Sequence, residues 1–536
     1  MYKNGVFSIA EFRLSGNDTV HYLEREVKYV IGSGNQTRSY ICEINGYLYE
    51  MPITWYSRRK IWDLSPGYEK GNNSRFNRPI GEACLNCHVS DVNYIEGSLN
   101  RYSSVGQNIG CEKCHGAGSI HIKAMEAKEF TDTSESPDYS IVNPARLGYS
   151  LQTDICSQCH LEGIVVPVKG KRQQDYRPGL PLSDFISVLI PSGPDSSDFG
   201  FASHAERLQT SKCFIASGGK LTCITCHSSH ESLSEKPLLV YNSKCMECHK
   251  SGHKICAISG KKQMAEPKGC IGCHMGKSGV TDIPHVSSTD HFIRKIVKSD
   301  LKLKTIDGNS LPVFRNFSSG HISEREKAMA SLVYFETTDQ NPALLAEIQK
   351  YINALDPSSK VKYAYLSNNA GLLGPLRESA ENQTDAYTAF YYSGLKALSP
   401  VGVRASLPFL QRAVVLAPEN LLFRTRLGDA FDELNNPSAA LNEYLQVLKL
   451  NPFEEKALVN AGWCCLEMGR FDEALVYTQR AVVQNPYNKS ALENRVNILM
   501  QKKEFRLAEK WLLQLIQQYP YDANYRQMRV EIHKLK

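Results

Sequence analysis

The spacing of apolar positions changes twice along the chain. Through residues 1–80, Tyr, Val, Ile and Thr are frequent and alternate in places with polar residues, the period-two pattern of strands. The stretch from Ser39 to Met51 holds Asn45-Gly46 between two such runs, which predicts a β-hairpin turning on those two residues. A small antiparallel sheet is the expectation for this part. From residue 81 to about 290, glycine and proline are common and periodic segments few, so loops and short helices are expected. Near residue 300 helical periodicity takes over and holds to the end.

That helical part repeats. Pro418, Pro452, Pro486 and Pro520 are spaced by 34 residues, as are Gly394, Gly428 and Gly462, and Ala440, Ala474 and Ala508. A 34-residue period with small residues at helix contacts is the tetratricopeptide signature. The small residues let the two helices of a hairpin approach closely, and proline ends the second helix before the next hairpin begins. Phe431, Tyr444 and Ala481 fall where that pattern wants apolar side chains. Repeats are expected at 387–420 (the most degenerate), 421–454, 455–488 and 489–522, with Val496 standing where the last copy should have glycine. Residues 325–386 read as helical too, a worn repeat and a connector. Such solenoids present a concave surface to peptides or protein partners.

Composition adds little. Of 536 residues, 42% are hydrophobic and 22% charged, and the net charge is +6, ordinary values for a globular protein. No basic block suggests nucleic acid. The best apolar run, Phe185 to Pro191, falls far short of the ~20 residues of a membrane-spanning helix.

The 17 cysteines change the picture. Cys-x-x-Cys-His occurs at Cys84, Cys87 and His88; Cys111, Cys114 and His115; Cys156, Cys159 and His160; Cys223, Cys226 and His227; Cys245, Cys248 and His249; and Cys270, Cys273 and His274. This is the attachment pattern of c-type haem. Two thiols about one helical turn apart reach the two vinyl groups of one porphyrin, and the following histidine offers its imidazole to the iron. Paired CxxC motifs can instead hold zinc through four thiolates, but zinc does not require histidine after every second cysteine. A thioredoxin-like motif would be a single site, and disulfide scaffolds favour short secreted chains. Six covalent haems c are therefore expected. Cys42, Cys213, Cys256, Cys464 and Cys465 are left over and read as small buried apolar residues.

Each iron has a second axial position. The candidate distal ligands are His121, His230, His253, His285 and His291, all near a motif in sequence. His204, His21 and His321 are weaker candidates, His533 reads as a surface residue, and Met275 reads as packing. An iron with two imidazoles passes electrons and has no vacancy for a substrate, whereas a five-coordinate iron can bind a small molecule. Electron transfer is the favoured function. The alternative is an oxidoreductase with one open haem acting on nitrite, hydroxylamine or sulfite; Lys171, Tyr176 and Arg177 lie in the long interval between motifs where a distal pocket could be built, but no residue reads as catalytic.

The fold class expected is α+β and multidomain: a β-rich part at 1–80, a haem-organised domain of loops and short helices with six sites at 81–300, a helical connector at 301–386, and an all-α tetratricopeptide solenoid at 387–536. A redox or scaffold protein is the expected partner of the repeats. Thioether attachment takes place outside the cytoplasm, so a periplasmic or other extracytoplasmic location is expected. Met1 to Ser8 lacks the basic and apolar regions of a signal peptide, which is read as a truncated start.

Beyond these motifs the chain resembles multihaem c-type cytochromes fused to tetratricopeptide repeats, relatives of the tetrahaem cytochromes of ammonia oxidation, hydroxylamine oxidoreductase and cytochrome c nitrite reductase. The resemblance covers most of residues 25–295. It is carried by Tyr29 to Gly34, Leu48 to Trp55, Cys111 to His121, Cys223 to His230, Cys270 to Met275, Ile283-Pro284-His285 and Asp290-His291. Ser228 and Ser229 depart from the Asp-Pro usual between those two histidines. The resemblance implies one further haem site on a segment upstream of this chain, which could also supply a distal ligand.

Overall fold

The structure is a computed structural model that describes residues 2–68, 74–133, 135–192, 200–231, 240–249, 269–280, 282–294, 311–338, 340–372, 374–377, 385–397 and 402–535.

The predicted hairpin forms. Strands β5 (Thr37–Ile44) and β6 (Tyr47–Glu50) pair antiparallel with Ile44 opposite Tyr47. Asn45 and Gly46 take φ of 51° and 85°, the left-handed pair that a two-residue hairpin turn needs. A Cβ at Gly46 would come within 2.7 Å of the Tyr102 carbonyl oxygen. Around this hairpin, β7 (Ile53–Tyr56), β8 (Ile61–Leu64) and β9 (Arg78–Pro79) complete the order β8-β7-β5-β6-β9, with β4 (Tyr29–Ile31) also on β5. A second sheet joins β1 (Tyr2–Lys3), β2 (Val6–Ser15) and β3 (Asp18–Glu26).

Both faces of the hairpin are covered, so its residues read as a nearly continuous apolar run. Ile41 and Leu48 face Ile80, Leu85, Val89 and Tyr102, toward the first Cys-x-x-Cys-His helix. Tyr40, Cys42, Ile44, Tyr47, Tyr49 and Met51 face the other way, where Leu421, Leu450 and Phe453 of the repeats pack against them. The sheet is thus wedged between the motif region and the solenoid.

Among the described residues the motif region is made of short helices, as its broken periodicity predicts, together with small antiparallel ribbons that it does not predict. Strands β10 (Ile164–Pro167), β11 (Ile186–Ser192) and β12 (Val313–Asn316) form a sheet, so a strand beyond residue 300 pairs with this part. Helices Glu324–Thr337, Pro342–Lys350 and Pro357–Leu366 follow.

The solenoid runs through Ala386–Ala397, Gly402–Leu416, Leu421–Glu433, Pro437–Leu450, Glu455–Glu467, Phe471–Gln484, Lys489–Gln501, Phe505–Gln518 and Ala523–Leu535. Ala440, Ala474 and Ala508 are fully buried at the helix crossings. A Cβ at Gly428 would lie 2.6 Å from the Tyr444 ring, and one at Gly462 would lie 2.7 Å from the Thr478 methyl. Val496 fills the corresponding position of the last repeat and is buried.

The 34-residue period reappears as a row of contacts with the sheet. At Glu419 the carbonyl accepts from the Tyr47 hydroxyl at 2.7 Å. At Phe453 the ring lies 4.0 Å beneath the Arg25 guanidinium. At Tyr487 the hydroxyl meets Arg13 Nη1 at 2.9 Å. One repeat after another offers the same connection between hairpins to the strands.

Candidate haem-attachment site

Each of the six motifs lies on a helical turn: Glu82–His88, Glu112–His115, Tyr149–His160, Cys223–Cys226, Val240–Cys248 and Gly269–His274. The amide of His115 bonds to the Cys111 carbonyl at 2.9 Å, that of His227 to Cys223 at 3.0 Å, and that of His249 to Cys245 at 2.9 Å. Winding the motif this way brings the two thiols and the imidazole to one side of a turn. The twelve motif cysteines are exposed or half-buried, whereas Cys42, Cys464 and Cys465 are buried; Cys213, expected to be buried with them, is half-buried. Desolvation nonetheless pushes the Cys84 thiol pKa up. All described cysteines are free thiols.

The Tyr149–His160 helix joins the motifs to one another. Gln158 on this helix accepts from Cys87 Sγ at its carbonyl, 3.8 Å away, and donates from Nε2 to the Lys113 carbonyl at 3.0 Å. Gln152 accepts from the Thr222 hydroxyl at 2.9 Å. The first, second and fourth motifs are therefore all bonded to the helix that carries the third. Side-chain contacts tell the same story: Cys159 lies against Cys87, and Cys156 against Cys223. Further along, Asn242 Oδ1 accepts from the Cys270 amide at 3.0 Å, linking the fifth and sixth.

Several histidines have one ring nitrogen fixed by a hydrogen bond within the protein. Carbonyl and carboxylate oxygens only accept, so a ring nitrogen facing one must carry the proton, leaving the opposite nitrogen free for a metal. His115 Nδ1 donates to the Val142 carbonyl at 2.8 Å, His274 Nδ1 to Arg294 at 3.2 Å, and His291 Nδ1 to Thr289 at 3.0 Å. His121 Nδ1 faces the Asp138 carboxylate at 3.0 Å and Ser140 at 3.1 Å.

Rings also come together in pairs. His115 and His230 have ring centres 6.0 Å apart, His227 and His291 6.1 Å, His160 and His204 5.5 Å, and His204 and His291 4.6 Å. Two imidazoles facing across one metal, each bonded at roughly 2 Å, have centres about 6 Å apart. Burial and the neighbouring histidines hold His204 down to about 3 and His291 to about 4, keeping both imidazoles neutral, the form that ligates. His204 is only a weak candidate from sequence. Its nearest motif histidine in space, His160, lies 44 residues away in the chain, so no local spacing points to it.

The remaining candidates stand apart. His285 gives Nε2 to Asp63 at 2.6 Å and sits edge-on to Tyr56. His253, like Cys256, lies outside the described residues. His21 is on β3 beside Tyr487, His321 precedes the Glu324–Thr337 helix, and His533 pairs with Glu509 at 2.9 Å. Met275 continues the turn of the sixth motif, its amide bonded to the Ile271 carbonyl at 2.8 Å. Of the residues in the long interval, Tyr176 packs with Leu161, Leu182 and Phe185, Lys171 lies over the Phe185 ring, and Arg177 bonds to the Gln174 and Tyr176 carbonyls. Among the described residues no three His, Cys, Asp or Glu side chains converge to hold a bare metal ion. No helix among them is long and apolar enough to cross a membrane.

In the solenoid, Asp429 gathers the Tyr444 hydroxyl at 2.9 Å, Asn460 at 3.0 Å and Lys456 at 2.6 Å. A cavity of about 340 Å³ lies further along, lined by Trp463, Lys489, Glu493, Asn494, Tyr525 and Met528 among others.

The tetratricopeptide repeat family matches residues 425–489 and 466–523, and the family of cytochrome c554 and c-prime matches residues 66–116, which holds the first two motifs. No curated protein matches the chain. Solved structures similar to it include YrrB, a TPR protein with an unusual peptide-binding site (18% identity over 38% of this chain and 98% of that one, TM-score 0.28). PilF of Pseudomonas aeruginosa is 17% identical over 39% and 97% of the two chains, with a TM-score of 0.31. A thermophilic TPR protein of Thermus thermophilus, TTC0263, is 18% identical over 33% and 100%, with a TM-score of 0.27. The chain joins a c-type cytochrome part to tetratricopeptide repeats.

Proposed function

We propose that this protein is a multihaem electron-transfer cytochrome, working outside the cytoplasm, with six haems c on its Cys-x-x-Cys-His turns and a repeat domain that docks a redox or scaffold protein. The observation that carries the reading is the bonding of three motifs to the helix of the third. Cofactors attached there would be neighbours, as a conduit requires. The residues fit haem better than a bare metal: thiols in pairs on helical turns, each followed by histidine, and imidazoles in facing pairs rather than in clusters of four. Bound haem supplies one-electron chemistry; the chain's part is to fix each macrocycle through two thiols, aim an imidazole nitrogen at the iron, and set how close the sites stand.

The docking of the sheet along the solenoid bears on the partner. The repeats are braced against the cytochrome part at Glu419, Phe453 and Tyr487, so a protein seated in their groove is held in a fixed relation to the sites. The test is the full chain produced where c-type haem is matured. Intact mass after denaturation should show six covalent haems, and reduced-minus-oxidised spectra should not change with nitrite, hydroxylamine or sulfite. Protein that matures normally without covalent haem overturns the reading. A ligand-induced shift at one haem turns it into the oxidoreductase alternative.

A further inference from the structure

Arg207 and Asp290 form a two-point ion pair, Nε to Oδ1 at 2.9 Å and Nη2 to Oδ2 at 2.5 Å, with only about a tenth of each side chain exposed. Arg207 is one turn after His204 on the His204–Gln209 helix, and Asp290 immediately precedes His291. The pair therefore ties together the two segments that carry these histidines. It is fastened further: the Asp290 amide donates to the Gly276 carbonyl at 2.9 Å, Asp290 Oδ1 accepts from the Phe292 amide at 2.9 Å, and the guanidinium lies 5.2 Å over the Phe292 ring.

We infer that His204 and His291 are the second axial ligands of the irons held by His160 and His227, and that the Arg207–Asp290 pair is the positioning element that holds both. The inference rests on the proposed multihaem reading and goes beyond it in naming partners and the device that places them. The ring spacings divide the histidines. At 6.1 Å, His227 and His291 have the spacing that two imidazoles holding one iron between them would have, and at 5.5 Å His160 and His204 stand slightly closer. At 4.6 Å and 29° between planes, His204 and His291 are too close for a metal and stack directly. The two distal ligands thus touch each other, and the third and fourth sites are coupled through that stack. A bidentate arginine–carboxylate pair has the directionality to fix such a contact, and removing one partner leaves a charge unpaired among mostly buried groups.

The experiment uses the full chain matured with haem, with haem number read by intact mass and spin state by low-temperature EPR. His204→Gly should keep six haems and show one new high-spin ferric signal that returns to low spin on adding imidazole. In a Cys156→Ala, Cys159→Ala background, which lacks the third haem, His204→Gly should add no high-spin signal. His204→Met preserves side-chain bulk and a ligand; methionine–histidine ligation raises a haem's potential, so a redox titration should show one haem moved upward. Arg207→Leu should disturb two haems at once, and Arg207→Lys should restore them in part. An unchanged low-spin set and unchanged potentials in the His204 variants overturn the pairing, as does a high-spin signal that survives loss of the third haem. Parent protein without covalent haem instead marks failure of the underlying reading.

Discussion

Asn451 Nδ2 donates to the Tyr49 hydroxyl at 2.9 Å, joining a repeat connection to the N-terminal sheet across 402 residues of chain. Asn451 is fully buried and Tyr49 nearly so. The same amide reaches Glu454 Oε2 at 3.3 Å, and its oxygen accepts from the Phe453 amide at 3.0 Å. Asn451→Ala leaves these groups without their partner inside the interface, at an expected cost of about 1–3 kcal/mol. A lower urea midpoint and faster proteolysis between sheet and repeats should report it.

Close approach at Gly428 makes a second prediction. Its missing Cβ is what lets the Tyr444 ring lie against the backbone, and Tyr444 is itself held by Asp429 and Asn460, so it cannot swing aside cheaply. Gly428→Ala should cost about 1–3 kcal/mol through overpacking. At Gly148 nothing lies within 4 Å of an added Cβ and φ is −60°, so Gly148→Ala should stay within about 0.5 kcal/mol. Thermal melts of the two variants compare them directly.

What the sequence makes legible is short-range chemistry. The Asn45-Gly46 turn, the 34-residue period and the Cys-x-x-Cys-His turns each depend on residues within a few dozen positions. Long-range facts are hidden. The pairing of Tyr47 with Glu419 or Arg25 with Phe453 leaves no local pattern, because either side chain alone is ordinary. His204 ranks low for the same reason: its ring meets His160 and His291, which are distant in the chain and on opposite sides of it. His285, by contrast, sits near a motif in sequence and meets Asp63 in space. Proximity along the chain is a weak guide where short helices are folded back on one another by contacts such as Arg207 to Asp290.

The motif cysteines and the leftover ones should behave differently in maturation. Replacing both cysteines of any one motif by alanine should remove one covalent haem and leave the other five, read by intact mass. Cys464→Ala removes a buried thiol of the repeat core, whose pKa burial pushes up to about 12. It should lose no haem and should lower only the melting temperature, as a small cavity does. A lost haem in the Cys464 variant would show that the repeats take part in attachment.

Glu454 offers a test by pH. It lies beside a cavity of about 420 Å³ shared by Ser74, Asn77, Lys456 and Asn460. Burial raises its carboxyl pKa, with Glu455 adding to the rise, while the Asn451 amide and Lys456 oppose it. As the residue preceding the Glu455–Glu467 helix, its charge also gains from the helix N-terminus, yet burial prevails. A carboxyl raised on folding binds its proton more tightly in the folded chain. No penalty exists below the unfolded value of about 4.3, where both states are protonated. The penalty grows as pH climbs from there to the folded value and is constant above it. Glu454→Gln keeps an oxygen for Asn451 and removes the charge. It should therefore melt higher than the parent at pH 7, with the gap closing toward pH 4, and a gap that is flat across this range would place the stabilisation elsewhere.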